Sequence, residues 1–339
     1  MRTRRVTTVA TTLVASLALA ACSSTASGTD GAASGEAGYP ITIEHALGTT
    51  TIDAKPTSVA AVGWANQDTA LALGVSPVGF GAQTWGVEDG SGMMPWTKEK
   101  VEALGGDPVL FDETDGIDYE ALANTAPDVI LAAYSGITEE EYGTLSDIAD
   151  TVAYPETAWA TTWRDQIKYN SEAMGLATEG EALTTELETL LDEKVAEYPQ
   201  IDGKTGAFMY AGLGDESQIG FYTSLDPRAG YLEDLGLSVP QSVADATETA
   251  DGFYVDISAE NIDQLNDVDV LVVYGDQALL GEWQADPLIS QIPAVQNGSV
   301  VLLGNDGALA ASANPSPLSI PWGVDEYVQL IADAADKVK

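Results

Sequence analysis

Between residues 161 and 199 nothing reads as a strand, although the chain on both sides alternates strand-like and helix-like runs. That break constrains the fold more than any other feature. Residues 163–174 read as one helix, closed by Gly175. Residues 178–198 read as a second, with Leu183, Leu187, Leu190, Leu191 and Val195 at helical spacing and Pro199 as its stop. A helix of about 21 residues spans roughly 30 Å, the width of a small domain. Ahead of it, residues 39–53 read as a hairpin, followed by strands at 59–64, 77–81, 109–111, 128–134 and 151–154, with helices at 66–73, 119–124 and 138–148. Behind it, strands are predicted at 206–210, 219–223, 268–274 and 300–303, and helices at 228–235, 259–265, 287–296 and 322–338. Strands alternating with helices indicate parallel βαβ units. A short internal repeat supports two equivalent lobes: Tyr119-Glu120-Ala121-Leu122 before Asp128-Val129-Ile130-Leu131 matches Glu260-Asn261-Ile262 before Asp269-Val270-Leu271-Val272. Any βαβ pair looks something like this, so the repeat alone leaves duplication open.

The N-terminus carries Arg2, Arg4 and Arg5, then an apolar stretch over residues 6–21, then Cys22, the single cysteine of 339 residues. This is the layout of a secretory signal. The small residues directly before Cys22 resemble a bacterial lipobox, which implies cleavage there and lipidation of the thiol; a plain signal peptide with a chance cysteine is the alternative. Residues 22–38 are Ser, Thr, Gly and Ala with little else and read as a flexible tether. Nothing after residue 21 is long and apolar enough to span a bilayer, so membrane contact is expected through the lipid alone.

With the three arginines of the first 22 residues removed, ten basic residues face 53 acidic ones, a net charge of −43. Such a surface repels nucleic acid and anionic headgroups. One histidine and one cysteine exclude a His-rich or thiolate metal site, and His45, expected to be exposed on a hairpin strand, makes a poor catalytic base. No Gly-Lys-Ser/Thr phosphate loop exists, and Gly212-Leu213-Gly214 lacks the third glycine of a dinucleotide fingerprint. No catalytic residues, no metal ligands and no intrinsic cofactor are assigned.

What the chain does carry is aromatic: seven Trp and thirteen Tyr. Trp64, Trp85, Tyr134 with Ser135, and Tyr274 each lie just past the C-terminal end of a predicted strand, where open α/β sheets place their ligand crevice. Aromatic faces there suit a bulky, partly apolar ligand. Only two arginines remain after the signal, Arg164 and Arg228. Arg228 follows Asp226-Pro227 at a predicted helix start, and both a structural ion pair and a pocket role are open to it. Trp159 and Trp163 cluster ahead of Arg164, and Trp163 joins the candidates.

At this point the chain resembles the substrate-binding lipoproteins of iron–siderophore ABC importers, in the group that also binds cobalamin. The resemblance rests on Ile41-Thr42-Ile43-Glu44-His45-Ala46-Leu47-Gly48 leading to Pro56, on Gly63-Trp64, Ala70-Leu71-Ala72-Leu73-Gly74-Val75, Pro127-Asp128-Val129-Ile130-Leu131 and Asp226-Pro227-Arg228, and on the ending over 316–330. It implies an α/β fold of two Rossmann-like lobes, 39–160 and 200–339, joined through a helical connection over 161–199 whose single long helix is 178–198, the class III type. It implies a ligand held in the cleft, small closure because a helix bends less readily than strands, and a ferric complex gripped by aromatics and arginine. It also implies acidic contacts to the permease, one on each lobe; Glu139 and Glu282 are the candidates, with plain solvated carboxylates as the alternative. The expected partners are a ferric siderophore and ABC permease subunits, with a monomeric protein anchored to the outer face of the cytoplasmic membrane. Poverty in arginine departs from the family pattern and favours a hydroxamate or mixed-type complex over polyanionic catecholates. Cobalamin or haem is the neighbouring alternative. A lipid-anchored hydrolase or an adhesive lipoprotein would be a different class.

Overall fold

A computed structural model describes residues 38–210, 218–250 and 252–339. The signal segment, Cys22 and all of the tether but its last residue lie outside these, as does the Gly212–Gly214 motif. The first lobe opens with an antiparallel hairpin, β1 (Ile41–His45) and β2 (Gly48–Ile52). It continues through β3 (Val59–Ala61), α1 (Asn66–Ala72), β4 (Gly79–Gly81), α2 (Pro95–Leu104), β5 (Val109–Phe111), α3 (Tyr119–Asn124), β6 (Val129–Leu131), α4 (Glu139–Ser146) and β7 (Asp150–Val152). Strands β5-β4-β3-β6-β7 form one all-parallel sheet. Its central strands are short and apolar because helices cover both faces: every residue of β3, β4 and β6 is buried.

Two helices, α5 (Trp163–Ala173) and α6 (Ala177–Ala196), lead to the second lobe. That lobe contains β8 (Gly206–Tyr210), β9 (Gln218–Tyr222), α7 (Pro227–Asp234), α8 (Gln241–Thr249), β10 (Tyr254–Ser258), β11 (Val270–Val273), α9 (Gln277–Ala285), α10 (Pro293–Asn297), β12 (Val300–Leu302), α11 (Ala308–Ser312) and α12 (Ser319–Ala335). Its sheet runs β10-β9-β8-β11-β12. Strands β8, β11 and β12 are parallel, whereas β9 is antiparallel to both β8 and β10. The expectation of resumed parallel βα units therefore holds for only three strands of this sheet. The helix expected over 259–265 is a kinked 3-10 segment.

The internal repeat extends to hydrogen bonds. Asp128 accepts from the backbone N–H groups of Thr57 and Ser58 just before β3, and Asp269 accepts from the N–H of Thr205 just before β8. Both carboxylates precede the strand that lies next to β3 or β8, so the two lobes are pinned alike.

The long helix α6 buries Leu187 and Leu191 in the core of the second lobe, and α5 bridges both cores. Trp163 and Ile167 lie in the second lobe's core, while Ala173 and Met174 lie in the first lobe's, beside Ile43 and Val59. His45 is buried, contrary to expectation. Its Nδ1 accepts from the Leu47 N–H at 3.3 Å, and its Nε2 lies 3.0 Å from the Thr50 hydroxyl, which donates to the Thr151 carbonyl. Burial holds the imidazole below its ordinary pKa. No helix among the described residues is long and apolar enough to cross a membrane.

Candidate functional site

The loops after β3 and β6 are locked together. Gly63 sits at φ +78°, and a Cβ there would fall 2.8 Å from the Tyr134 carbonyl, so the turn into Trp64 requires glycine. The Trp64 N–H donates to the Tyr134 carbonyl at 3.1 Å. Asn66, wholly buried, donates to the carbonyls of Val62 (2.8 Å) and Tyr134 (2.9 Å) and accepts from the Tyr134 N–H (3.0 Å) and from Asn170 of α5 (3.0 Å). Gln166 of α5 donates to the Trp64 carbonyl. Two strand ends and two helices thus fix where Trp64 and Tyr134 stand.

Rings from both lobes meet at these ends. Trp64 lies 6.1 Å from Trp85, which meets Tyr274 of the second lobe edge-on at 5.4 Å. The Trp85 Nε1–H donates to the Asn305 carbonyl, and Asn314 donates to the Tyr134 hydroxyl at 3.1 Å. Trp159 stands edge-on to Tyr134 at 5.6 Å and is 39% exposed. It holds a strained φ of +60° and rests over the bare face of Gly136.

The second lobe supplies the charge. The Arg228 guanidinium lies 3.8 Å from the centre of the Tyr222 ring and donates to both oxygens of Asp226, at 2.7 and 2.6 Å. Asp226 also caps α7 by accepting from the Arg228 N–H. Burial acts against the Arg228 charge, but the hydrogen bonds and charge of Asp226 outweigh it and hold the group firmly protonated. Burial pushes the Tyr274 hydroxyl up to about 12, with Arg228 pulling the other way, and raises Tyr134 as well. A hollow of about 330 Å³ lined by Tyr222, Phe253, Tyr254 and Asp256 adjoins this pair. On the first lobe, Glu113 closes the end of β5. Its Oε2 accepts from the Gly63 N–H at 3.3 Å, and burial raises its carboxyl to about 7.

Of the residues expected from the sequence, Trp64, Trp85, Tyr134, Tyr274 and Arg228 are brought together. Trp163 is not among them. As the first residue of α5 it faces inward, is 3% exposed and donates to Asp234, with Arg164 stacked on its ring at 4.2 Å. Ser135 is buried and donates to the Ala132 carbonyl, so its hydroxyl serves the turn. Glu139, at the start of α4, and Glu282, within α9, are exposed and stand apart from the rings. The sequence reading did not select Trp159, Tyr222, Phe253, Tyr254 or Glu113. Trp159 had a signal in its cluster with Trp163, but helix register was needed to choose between them. Tyr222 ends an antiparallel strand, which the strand-end rule does not cover. Among the described residues no cluster of three His, Cys, Asp or Glu side chains is placed to hold a metal ion.

The periplasmic binding protein family matches residues 59–306. No curated protein sequence matches the chain. Among solved structures, PiaA of Streptococcus pneumoniae TIGR4 in complex with ferrichrome is 44% identical, with a TM-score of 0.85 over 88% of this chain and 100% of that one. A second PiaA structure, of an iron uptake ABC transporter substrate-binding protein, is 43% identical with a TM-score of 0.81 over the same shares. A periplasmic solute binding protein from Mycobacterium smegmatis strain MC2 155 is 26% identical, with a TM-score of 0.70 over 87% of this chain and 99% of that one. Matched along most of its length and built as two α/β lobes on connecting helices, the chain belongs to the periplasmic binding protein family.

Proposed function

We propose that this protein captures a ferric hydroxamate siderophore of the ferrichrome kind between its lobes and delivers it to an ABC importer. The observation that carries this reading is the pairing of Arg228 with Asp226 inside an aromatic enclosure. A polyanionic ferric catecholate needs several free cations, and here the cleft arginine is already neutralised by a buried carboxylate. An uncharged ferric trihydroxamate needs apolar faces and a few donors. Trp64, Trp85, Trp159 and Tyr274 supply the faces, and the remaining guanidinium N–H groups of Arg228 supply donors to ligand oxygens. The likeness to PiaA, solved with ferrichrome, points the same way. The iron stays within its chelator, and the protein performs no chemistry on it.

The same reading places the mature protein on the outer face of the cytoplasmic membrane, lipidated at Cys22, as a monomer on a 22–38 tether. Glu139 and Glu282, exposed on separate lobes, are its docking acids for the permease. Tryptophan fluorescence of the protein lacking residues 1–22 tests the ligand. Ferrichrome is expected to quench at micromolar concentration or below, and a ferric tricatecholate to bind at least about tenfold more weakly. Quenching by cobalamin or haem without any by ferrichrome overturns the assignment.

A further inference from the structure

The siderophore reading leaves a polar group at the end of β5 unexplained. Glu113 reaches back from the end of β5 across the ends of β3 and β4. It lies against two glycines: a Cβ at Gly81 would come within 2.5 Å of its Oε2, and Gly63 offers its N–H. The side chain is partly exposed, yet Oε1 is shut from water and has no hydrogen-bond partner. A carboxyl oxygen kept dry and unpaired is costly, and the cost disappears when a donor arrives. On the second lobe, the exposed Asp256 borders the hollow beside Tyr222, Phe253 and Tyr254. With Arg228 neutralised by Asp226, the described cleft charges sum to the acidic side.

Resting on the siderophore reading, we infer that Glu113 is a donor-reading subsite, which selects ferric hydroxamates carrying an ammonium group over otherwise identical complexes lacking one. The carboxyl accepts from the Gly63 N–H, one residue before Trp64, so a ligand lying on Trp64 would turn an edge toward it. The missing Cβ at Gly81 is what lets the carboxyl lie there, and the partly exposed side chain would present an oxygen to that edge by turning about its last torsion. An ammonium donor would find a charge-assisted partner there, whereas an N-acetyl group in the same place would offer one weaker donor and no charge. The groups packed against Glu113 from β3 and β4 are the uncharged Gly63 and Gly81, and its neighbour Asp112 is exposed and holds the Thr114 N–H. Burial raises Glu113 to about 7, so its ionisation, and with it the preference, rises across neutral pH.

The test uses two probes with the protein lacking residues 1–22: a linear ferric trihydroxamate with a free terminal ammonium, and the same complex N-acetylated. The ammonium form is expected to bind the wild type about tenfold more tightly. In Glu113→Gln that ratio is expected to fall toward one. Equal binding of the two probes by the wild type while ferrichrome still binds, or an undiminished ratio in the variant, overturns the subsite alone. Binding of neither probe nor ferrichrome overturns the siderophore reading and the subsite with it. Should the variant fail to fold, wild-type titrations at pH 6 and pH 8 decide: the ratio must rise several-fold with pH, and a flat ratio overturns the inference.

Discussion

Arg228 and Asp226 are held to each other by geometry that leaves neither expendable. Asp226 is 1% exposed, caps α7 and receives two guanidinium N–H groups. Removing one partner of such a pair strands the other in a dry site, whereas removing both removes the problem. Arg228→Met should therefore destabilise the protein by about 3–5 kcal/mol. Adding Asp226→Asn, which keeps an oxygen to cap α7, should recover most of that loss in urea unfolding while ferrichrome binding stays impaired. A double variant no more stable than the single one would show that the loss comes from packing on Tyr222 instead. The sequence left two roles open for Arg228, ion pair or pocket; the structure forms the ion pair, with a partner only two residues away, and stacks the guanidinium on Tyr222, while the pocket role belongs to the proposed function. Trp163 misled for a related reason. It became a candidate through its cluster with Trp159 ahead of Arg164, but the first turn of α5 faces the second lobe's core, and exposure falls to Trp159 four residues earlier.

Among the elements, α1 and α5 fix the strand ends that carry Trp64 and Tyr134, through Asn66. Truncating Asn66 to Ala would leave the Val62 and Tyr134 carbonyls and the Tyr134 N–H short of partners in a buried region. A loss of about 2–4 kcal/mol is expected, together with faster amide exchange at Tyr134 and weaker ferrichrome binding. Unchanged exchange there would mean that the Trp64–Tyr134 backbone bond suffices by itself. What could be read ahead of the structure was the set of buried strands. Continuous apolar runs at β6 and β11, and the strand-free stretch over α5 and α6, carry strong periodicity and clear stops. The rest is quiet in sequence for physical reasons. The strand β10 is an edge, paired on one side and largely exposed, so its residues need no apolar pattern. The helix α2 buries only Trp96, Thr97 and Val101, too few to mark a face. His45 looked exposed because it is a polar residue on a hairpin strand, yet the alternation that buries Ile43 also turns His45 inward, where the hydroxyl of Thr50 and the Leu47 N–H satisfy it.

For the molecule as a whole, one coupling between stability and pH passes through Asp68. This carboxylate, fully buried on α1, accepts from Trp96 and Thr97 of α2 and, at 2.6 Å, from Ser316 on the segment that leads from the second lobe into α12. It therefore ties residues 248 positions apart. Burial raises it from 3.8 to about 6, with the hydrogen bonds from Ser316, Thr97 and Trp96 opposing the rise. The folded protein thus binds this proton more tightly than the unfolded chain. The contribution is fully present below about pH 4, is lost as pH climbs to about 6, and is constant beyond. A proton held about a hundredfold more tightly is worth roughly 3 kcal/mol. Repulsion among the 53 acidic residues has the same sign, so the wild type alone cannot separate the two effects. Comparison with Asp68→Asn can, because the surface charge is common to both. The unfolding free energy of the wild type minus that of the variant is expected to fall by about 2–3 kcal/mol between pH 4 and pH 6.5 and to stay level above pH 7. Raising salt from about 0.1 to about 0.5 M should flatten the background trend of both proteins but leave their difference intact, since a buried group is poorly screened. A difference that is flat with pH, or that disappears with salt, would place the pH response on the acidic surface and remove Asp68 from it.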